Sequence, residues 1–184
     1  MRQRTGRRLL TLAAIALVGA ASGCGAPTAA TEADALTPEP ISVDRPEYTV
    51  TRGVDGRIEI TIGLRYVNRT GATTYLPVCG GVHPPALQKL VRGEWVAAYS
   101  PFVDLCLQAP VKVRPGKSYR YSYRVLAWPQ GGWSRPYFEI DEIAGTYRAV
   151  WTIYETWTPG SPEPGLGRLA PLEGRVSNEF RIVE

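Results

Sequence analysis

The stretch RIEITIGLRYVN, residues 57–68, alternates without a break: Ile58, Ile60, Ile62, Leu64 and Tyr66 are separated by Glu59, Thr61, Gly63 and Arg65. A side-chain period of two puts all five apolar groups on one face of an extended strand, a pattern that no helix can use. The rhythm returns in SYRYSYRV, where Tyr119, Tyr121, Tyr123 and Val125 point one way and Arg120, Ser122 and Arg124 the other. It returns again in TYRAVWTIY, through Tyr147, Ala149, Trp151 and Ile153, and in NEFRIVE, through Phe180 and Ile182. Turn-forming residues lie between these runs: Asp55-Gly56, residues 68–71, Arg92-Gly93 between ALQKLV and EWVAAY, and Pro115-Gly116. No segment longer than a turn has helical spacing. The expected class is all-β, an antiparallel sandwich of two sheets. Its strands would be A near Tyr48, B at 57–68, C near Tyr75, a hairpin at 86–99, E at 117–127, F at 145–154 and G at 176–183.

Residues 1–8 hold Arg2, Arg4, Arg7 and Arg8 and no acid, and LLTLAAIALVGA follows at 9–20. These are the basic and apolar parts of an export signal, too short to cross a hydrocarbon core of about 30 Å as a helix. Ala21, Ser22 and Gly23 then lead to Cys24. The arrangement resembles the lipobox of bacterial lipoproteins, with Ala21 where that family usually has Leu. The resemblance implies a signal peptide over 1–23, a lipid of the palmitate class on Cys24, and acylation of the new N-terminus. The chain would then be held to a bacterial membrane on its extracytoplasmic face, in the cell envelope, since two or more acyl chains make a lasting anchor.

After Cys24, residues 25–44 are rich in Ala, Thr, Pro and acids and hold almost nothing to bury. We expect residues 24–44 to be the lipidated cysteine and a flexible linker. Its root-mean-square reach is on the order of 25 Å. One domain is expected over 45–184. The 21 bases and 17 acids of the whole chain overstate its charge, because four bases fall in the signal. From Arg45 onward there are 17 bases and 13 acids, too mild an excess to point to nucleic acid. Two further cysteines, Cys79 and Cys106, are expected to form a disulfide in an exported chain. Such a bridge contributes about 3 to 4 kcal/mol by closing a loop of roughly 28 residues.

In EIAGTYRAVW, Gly145 followed by Tyr147 resembles the tyrosine corner of immunoglobulin-like domains, in which the phenol bonds backbone ahead of strand F. Ala149 stands where an antibody domain has its second core cysteine. Together with YVNRTGATTY and VRPGKSYRYSYRV, the pattern resembles the immunoglobulin-like domains of small bacterial lipoproteins. It is similar, more distantly, to the Bacillus intracellular proteinase inhibitor family. The first resemblance implies an immunoglobulin-like antiparallel β-sandwich; the second implies an inhibitor presenting a loop such as 156–174. Neither assigns a functional residue. In such a sandwich the E–F and F–G connections lie at opposite ends, with the Cys79 region expected at the E–F end and the linker joining at the F–G end.

Catalysis finds little to work with. The single histidine, His83, sits in the Gly/Pro turn GGVHPP, and Glu139, Asp141 and Glu142 read as solvated acids of an exposed connection rather than a calcium site or an acid/base pair. The NRT sequon at Asn68 reads as a turn. No catalytic residue, metal ligand or cofactor is expected. The two long connections are more informative. The one at 127–145 carries Trp128, Trp133, Tyr137 and Phe138, and the one at 156–174 carries Trp157 and Leu166. Aromatic residues are enriched where proteins bind one another, so Trp128, Trp133, Tyr137, Phe138 and Trp157 are candidate partner-binding residues. The alternative is that these rings plug the ends of the sandwich. The expected function is a non-enzymatic binding or structural module whose partner is an envelope protein or cell-wall component.

Overall fold

A computed structural model describes residues 39–103, 108–132, 134–158 and 167–184. The expected signal peptide, Cys24, Cys106, Trp133, Leu166 and the rest of 159–166 lie outside these residues.

The described residues are all-β. Their strands are β1 (Ile41–Val43), β2 (Glu47–Thr49), β3 (Thr51–Arg52), β4 (Ile58–Val67), β5 (Thr74–Leu76), β6 (Ala86–Val91) and β7 (Glu94–Tyr99). They continue with β8 (Val111–Val113), β9 (Ser118–Ala127), β10 (Gly145–Val150) and β11 (Phe180–Val183). A single turn of 3-10 helix spans Leu172–Gly174.

The strongest alternation forms the backbone of the first sheet. β4 and β9 pair along their whole length, from Ile58 opposite Ala127 to Val67 opposite Ser118. The other edge of β4 is shared by β1, with Ile41 opposite Tyr66, and β3, with Arg52 opposite Ile58. The second sheet has the order β2-β11-β10-β6-β7, antiparallel except where β2 runs parallel to β11. A small third ladder joins β5 to β8. The five apolar side chains of β4 are buried, as their period of two demands. Rings bridge the two main sheets: Tyr121 lies 5.6 Å from Trp151, and the Tyr123 hydroxyl donates to that of Tyr99 at 2.7 Å. Each apolar side chain fully removed from water contributes about 1.5 to 3 kcal/mol. Several sheets with facing apolar sides are consistent with a β-sandwich.

Two local features follow directly from composition. Arg92 and Gly93 both have positive φ, 53° and 88°, the two-residue turn that best matches the twist of a β6–β7 hairpin. Between β1 and β2 the chain passes from one sheet to the other, and Asp44 holds the crossing. Its backbone N–H donates to the Gly63 carbonyl, and its carboxylate accepts from Gly63 N–H and the Tyr48 hydroxyl. A Cβ at Gly63 would lie 2.3 Å from that carboxylate, which accounts for a glycine inside the best strand.

Three expectations need correction. The domain begins earlier than residue 45, because Ile41 is fully buried and β1 pairs with β4; Ile41 and Val43, two apolar residues in a stretch of Ala, Thr, Pro and acids, gave too short a pattern to reveal it. The short strand near Tyr75 pairs with β8, whose alternation of Val111, Lys112 and Val113 is only three residues long, and the neighbour of β10 is β6. Regular pairing of β10 ends at Val150, before the expected 154.

Candidate functional site

Leaving β9 at Ala127, the chain must cross to the other sheet before β10 begins at Gly145. A short backbone ladder directs it. Trp128 N–H donates to the Pro136 carbonyl at 3.0 Å, and Phe138 N–H donates to the Trp128 carbonyl at 2.8 Å. Glu139 N–H then donates to Ala98 at 2.9 Å, which fastens the connection to the outer edge of β7. Phe138 is fully buried, with its ring 5.5 Å from Tyr99. Its side chain belongs to the core, because the ladder turns it inward.

The return to β10 is clamped twice. The Tyr147 hydroxyl donates to the Ile143 carbonyl, and the buried Lys89 ammonium donates to the Glu142 carbonyl at 2.6 Å. Burial pushes the Tyr147 phenol above its ordinary range, with Glu142 and Glu184 adding to the effect, so the hydroxyl stays a donor. Gly145 has φ of 149°, and a Cβ there would meet the Lys89 stem at 2.4 Å. Lysine enters the interior here because its ammonium reaches backbone and lies 3.6 Å from the Glu142 carboxylate.

On this frame Trp128 and Tyr137 are half-buried and adjacent, joined by a parallel bridge. Each has a cation beside its ring. The Arg57 guanidinium lies 5.8 Å from the Trp128 ring and that of Arg135 lies 5.9 Å from Tyr137. Such contacts contribute about 0.5 to 1 kcal/mol at exposed sites and hold the rings in place. Arg57 is itself oriented by Asp55, whose carboxyl is kept below its usual range chiefly by the Arg57 backbone N–H. Next to Tyr137 opens a cavity of about 250 Å³ lined by Ser100, Phe102, Arg135 and Glu139 among others. Phe102 is 64% exposed at its edge. The arrangement offers ring faces and two opposite charges around a small hollow, chemistry suited to gripping side chains of another polypeptide.

The other candidates lie elsewhere. Trp157 sits with Tyr75, ring centres 6.2 Å apart, beneath Lys112. His83 accepts from Trp151 Nε1 through its carbonyl at 2.7 Å; its Nε2 is buried with no hydrogen-bond partner among the described residues, and burial lowers its pKa. Glu139, Asp141 and Glu142 are exposed, and among the described residues no three His, Cys, Asp or Glu side chains gather as metal ligands. Asn68 is fully buried and its amide donates to Ala72 and Val113, so the sequon has no free nitrogen to glycosylate. Cys79 is disulfide-bonded, and its expected partner Cys106 lies outside the described residues. The Cys79 region belongs to the F–G end and not the E–F end: Tyr75 and Tyr154 exchange backbone hydrogen bonds at 2.9 Å, since β6, after Cys79, takes the place beside β10.

Arg57, Arg135, Phe102 and Lys89 were not singled out from sequence. Register holds the signal for Arg57: with Ile58 opposite Ala127, Arg57 must fall beside Trp128.

No protein-family model matches the chain, and no curated protein matches it. Among solved structures, the chain is similar to an X-ray structure described as Northeast Structural Genomics Consortium target SoR45, at 11% identity. That likeness covers 77% of this chain and 84% of that one with a TM-score of 0.39, too low to carry any argument.

Proposed function

We propose that this protein is a non-enzymatic binding module of the bacterial cell envelope, exported, lipid-anchored through Cys24, and gripping a protein partner on the Trp128–Tyr137 face. The observation that carries the reading is that face itself: two half-buried rings, each beside an arginine, on a backbone ladder next to a cavity of about 250 Å³. Position supports it. Ile41, where the linker joins, is opposite Tyr66, whereas Trp128 follows the residue opposite Ile58. Eight residues of strand separate those levels, about 27 Å, so the face is turned away from the anchored end.

An immunoglobulin-like topology draws support from the split of β1 and β2 between sheets, from β4 beside β9, and from the order β11-β10-β6-β7. The bond from Tyr147 to Ile143 fits a tyrosine corner. The disulfide-bonded state of Cys79 supports a Cys79–Cys106 bridge.

A photo-crosslinking residue placed at Phe102 tests the binding face in intact cells. The expected result is a discrete protein adduct that falls at least fivefold with Tyr137→Ala while Tm is unchanged. An adduct insensitive to Tyr137→Ala and Arg135→Ala overturns the reading. Slowed turnover of a serine protease by the purified protein would favour an inhibitor built on 156–174 instead.

A further inference from the structure

Between residues 60 and 138 there are ten bases and only two acids, Glu94 and Asp104. The fold gathers five of these bases at one end. Asn68 N–H donates to the Lys117 carbonyl at 2.9 Å and Gly116 N–H to the Asn68 carbonyl at 2.8 Å, while β5 pairs with β8. Arg120 falls directly opposite Arg65 in the β4–β9 register. Arg69, Lys112, Arg114, Lys117 and Arg120 thereby share one end of the molecule, and all five are exposed. None of Lys112, Arg114, Lys117 and Arg120 has a carboxylate partner among the described residues. Like charges gathered at one end repel one another, so the gathering of these four does not itself stabilise the fold.

The same end receives the linker, where Val67 N–H donates to the Pro40 carbonyl at 2.8 Å and Ile41 pairs with Tyr66. Apolar groups are present on the neighbouring connection after β10. The Trp157 ring lies 6.0 Å from the Lys112 ammonium, and Leu169 and Leu172 are 44% and 45% exposed.

We propose that this cationic end docks on the anionic lipid headgroups of the membrane that holds the chain. Basic clusters close to a bilayer are drawn to its negative surface over roughly one Debye length, about 8 to 10 Å. Indole rings and lysines suit the headgroup level, and exposed leucines reach toward acyl chains, a combination that favours a lipid surface over a nucleic acid strand. The linker joins the domain at this end and not at the Trp128 face. Docking therefore orients the domain with its binding face outward. The inference takes its geometry from the anchored reading above, and the experiment separates the two.

The full chain, purified in detergent, is reconstituted with vesicles of phosphatidylcholine alone or with one third phosphatidylglycerol. Flotation is measured, along with labelling of Lys112 and Lys117 by a membrane-impermeant amine reagent. The expected result is flotation with both lipids, with both lysines labelled at least fivefold more slowly on phosphatidylglycerol. The protection should vanish in 0.5 M salt and in an Arg114→Glu, Arg120→Glu variant of unchanged Tm. Flotation with both lipids but equal labelling overturns docking and leaves the anchor standing. Flotation only with phosphatidylglycerol, reversed by salt, supports docking and removes the anchor. Flotation with neither overturns docking.

Discussion

The connections that precede and follow β10 are alike in composition, each long and carrying prolines and tryptophan, yet the fold uses them differently. The first is tied down by four backbone hydrogen bonds within its own turn and to β7, and its deepest ring, Phe138, is fully buried. Among its described residues, the rings of Trp128 and Tyr137 are left half-buried at the rim. The second, among its described residues, keeps Trp157 half-buried beneath Lys112 and leaves Leu169 and Leu172 exposed. Plugging an end of the sandwich and leaving rings at its rim are therefore not exclusive: one connection buries Phe138 and holds two half-buried rings on the same backbone ladder.

The largest effect separating these regions should come from Phe138→Ala, which empties a fully enclosed site beside Tyr99. It should lower stability by about 3 to 5 kcal/mol in urea denaturation, whereas Trp157→Ala should change it by at most about 1 kcal/mol. Equal losses would break the contrast. Next, replacing Cys79 and Cys106 together by Ala should cost about 3 to 4 kcal/mol if the two are bridged. A loss no greater than that from Cys106→Ala in an already reduced sample would show that the staple contributes nothing. Tyr147→Phe leaves the Ile143 carbonyl unpaired in the interior and should cost about 1 to 2 kcal/mol. It should also speed amide exchange at residues 140–144 more than at 167–172.

The smallest effect is a pH dependence. Burial depresses the His83 pKa below its ordinary 6.5, so the folded state prefers the neutral ring and the unfolded chain takes up the proton first. The contribution is therefore complete above pH 6.5 and declines as pH falls through that value toward the folded-state pKa. His83→Gln should flatten the urea midpoint between pH 7 and 5 without altering the Trp128 face. A steeper slope in the variant would contradict this.

The hairpin turn at Arg92-Gly93 was legible because two consecutive positive φ values need a glycine at one of them, and the chain marks that place with one. β1 was not legible, because Ile41 and Val43 acquire their meaning only when β4 lies alongside. Of the candidate site, the rings were visible as a cluster in the chain, but which ring turns inward was not. That choice belongs to the Glu139–Ala98 hydrogen bond, a contact across 41 residues of sequence that no local pattern encodes.

Local chemistry in the chain was enough to settle an all-β class, the long paired strands at 58–67 and 118–127, and the places where the chain turns, because period and turn residues act over a few neighbours. Only tertiary structure decided that β6 lies beside β10, that Lys89 points inward to hold Glu142, and that bases from 69 and from 112–120 share one surface. These depend on which faces meet after the sheets form. Burial and charge proximity are properties of that meeting and not of any residue alone.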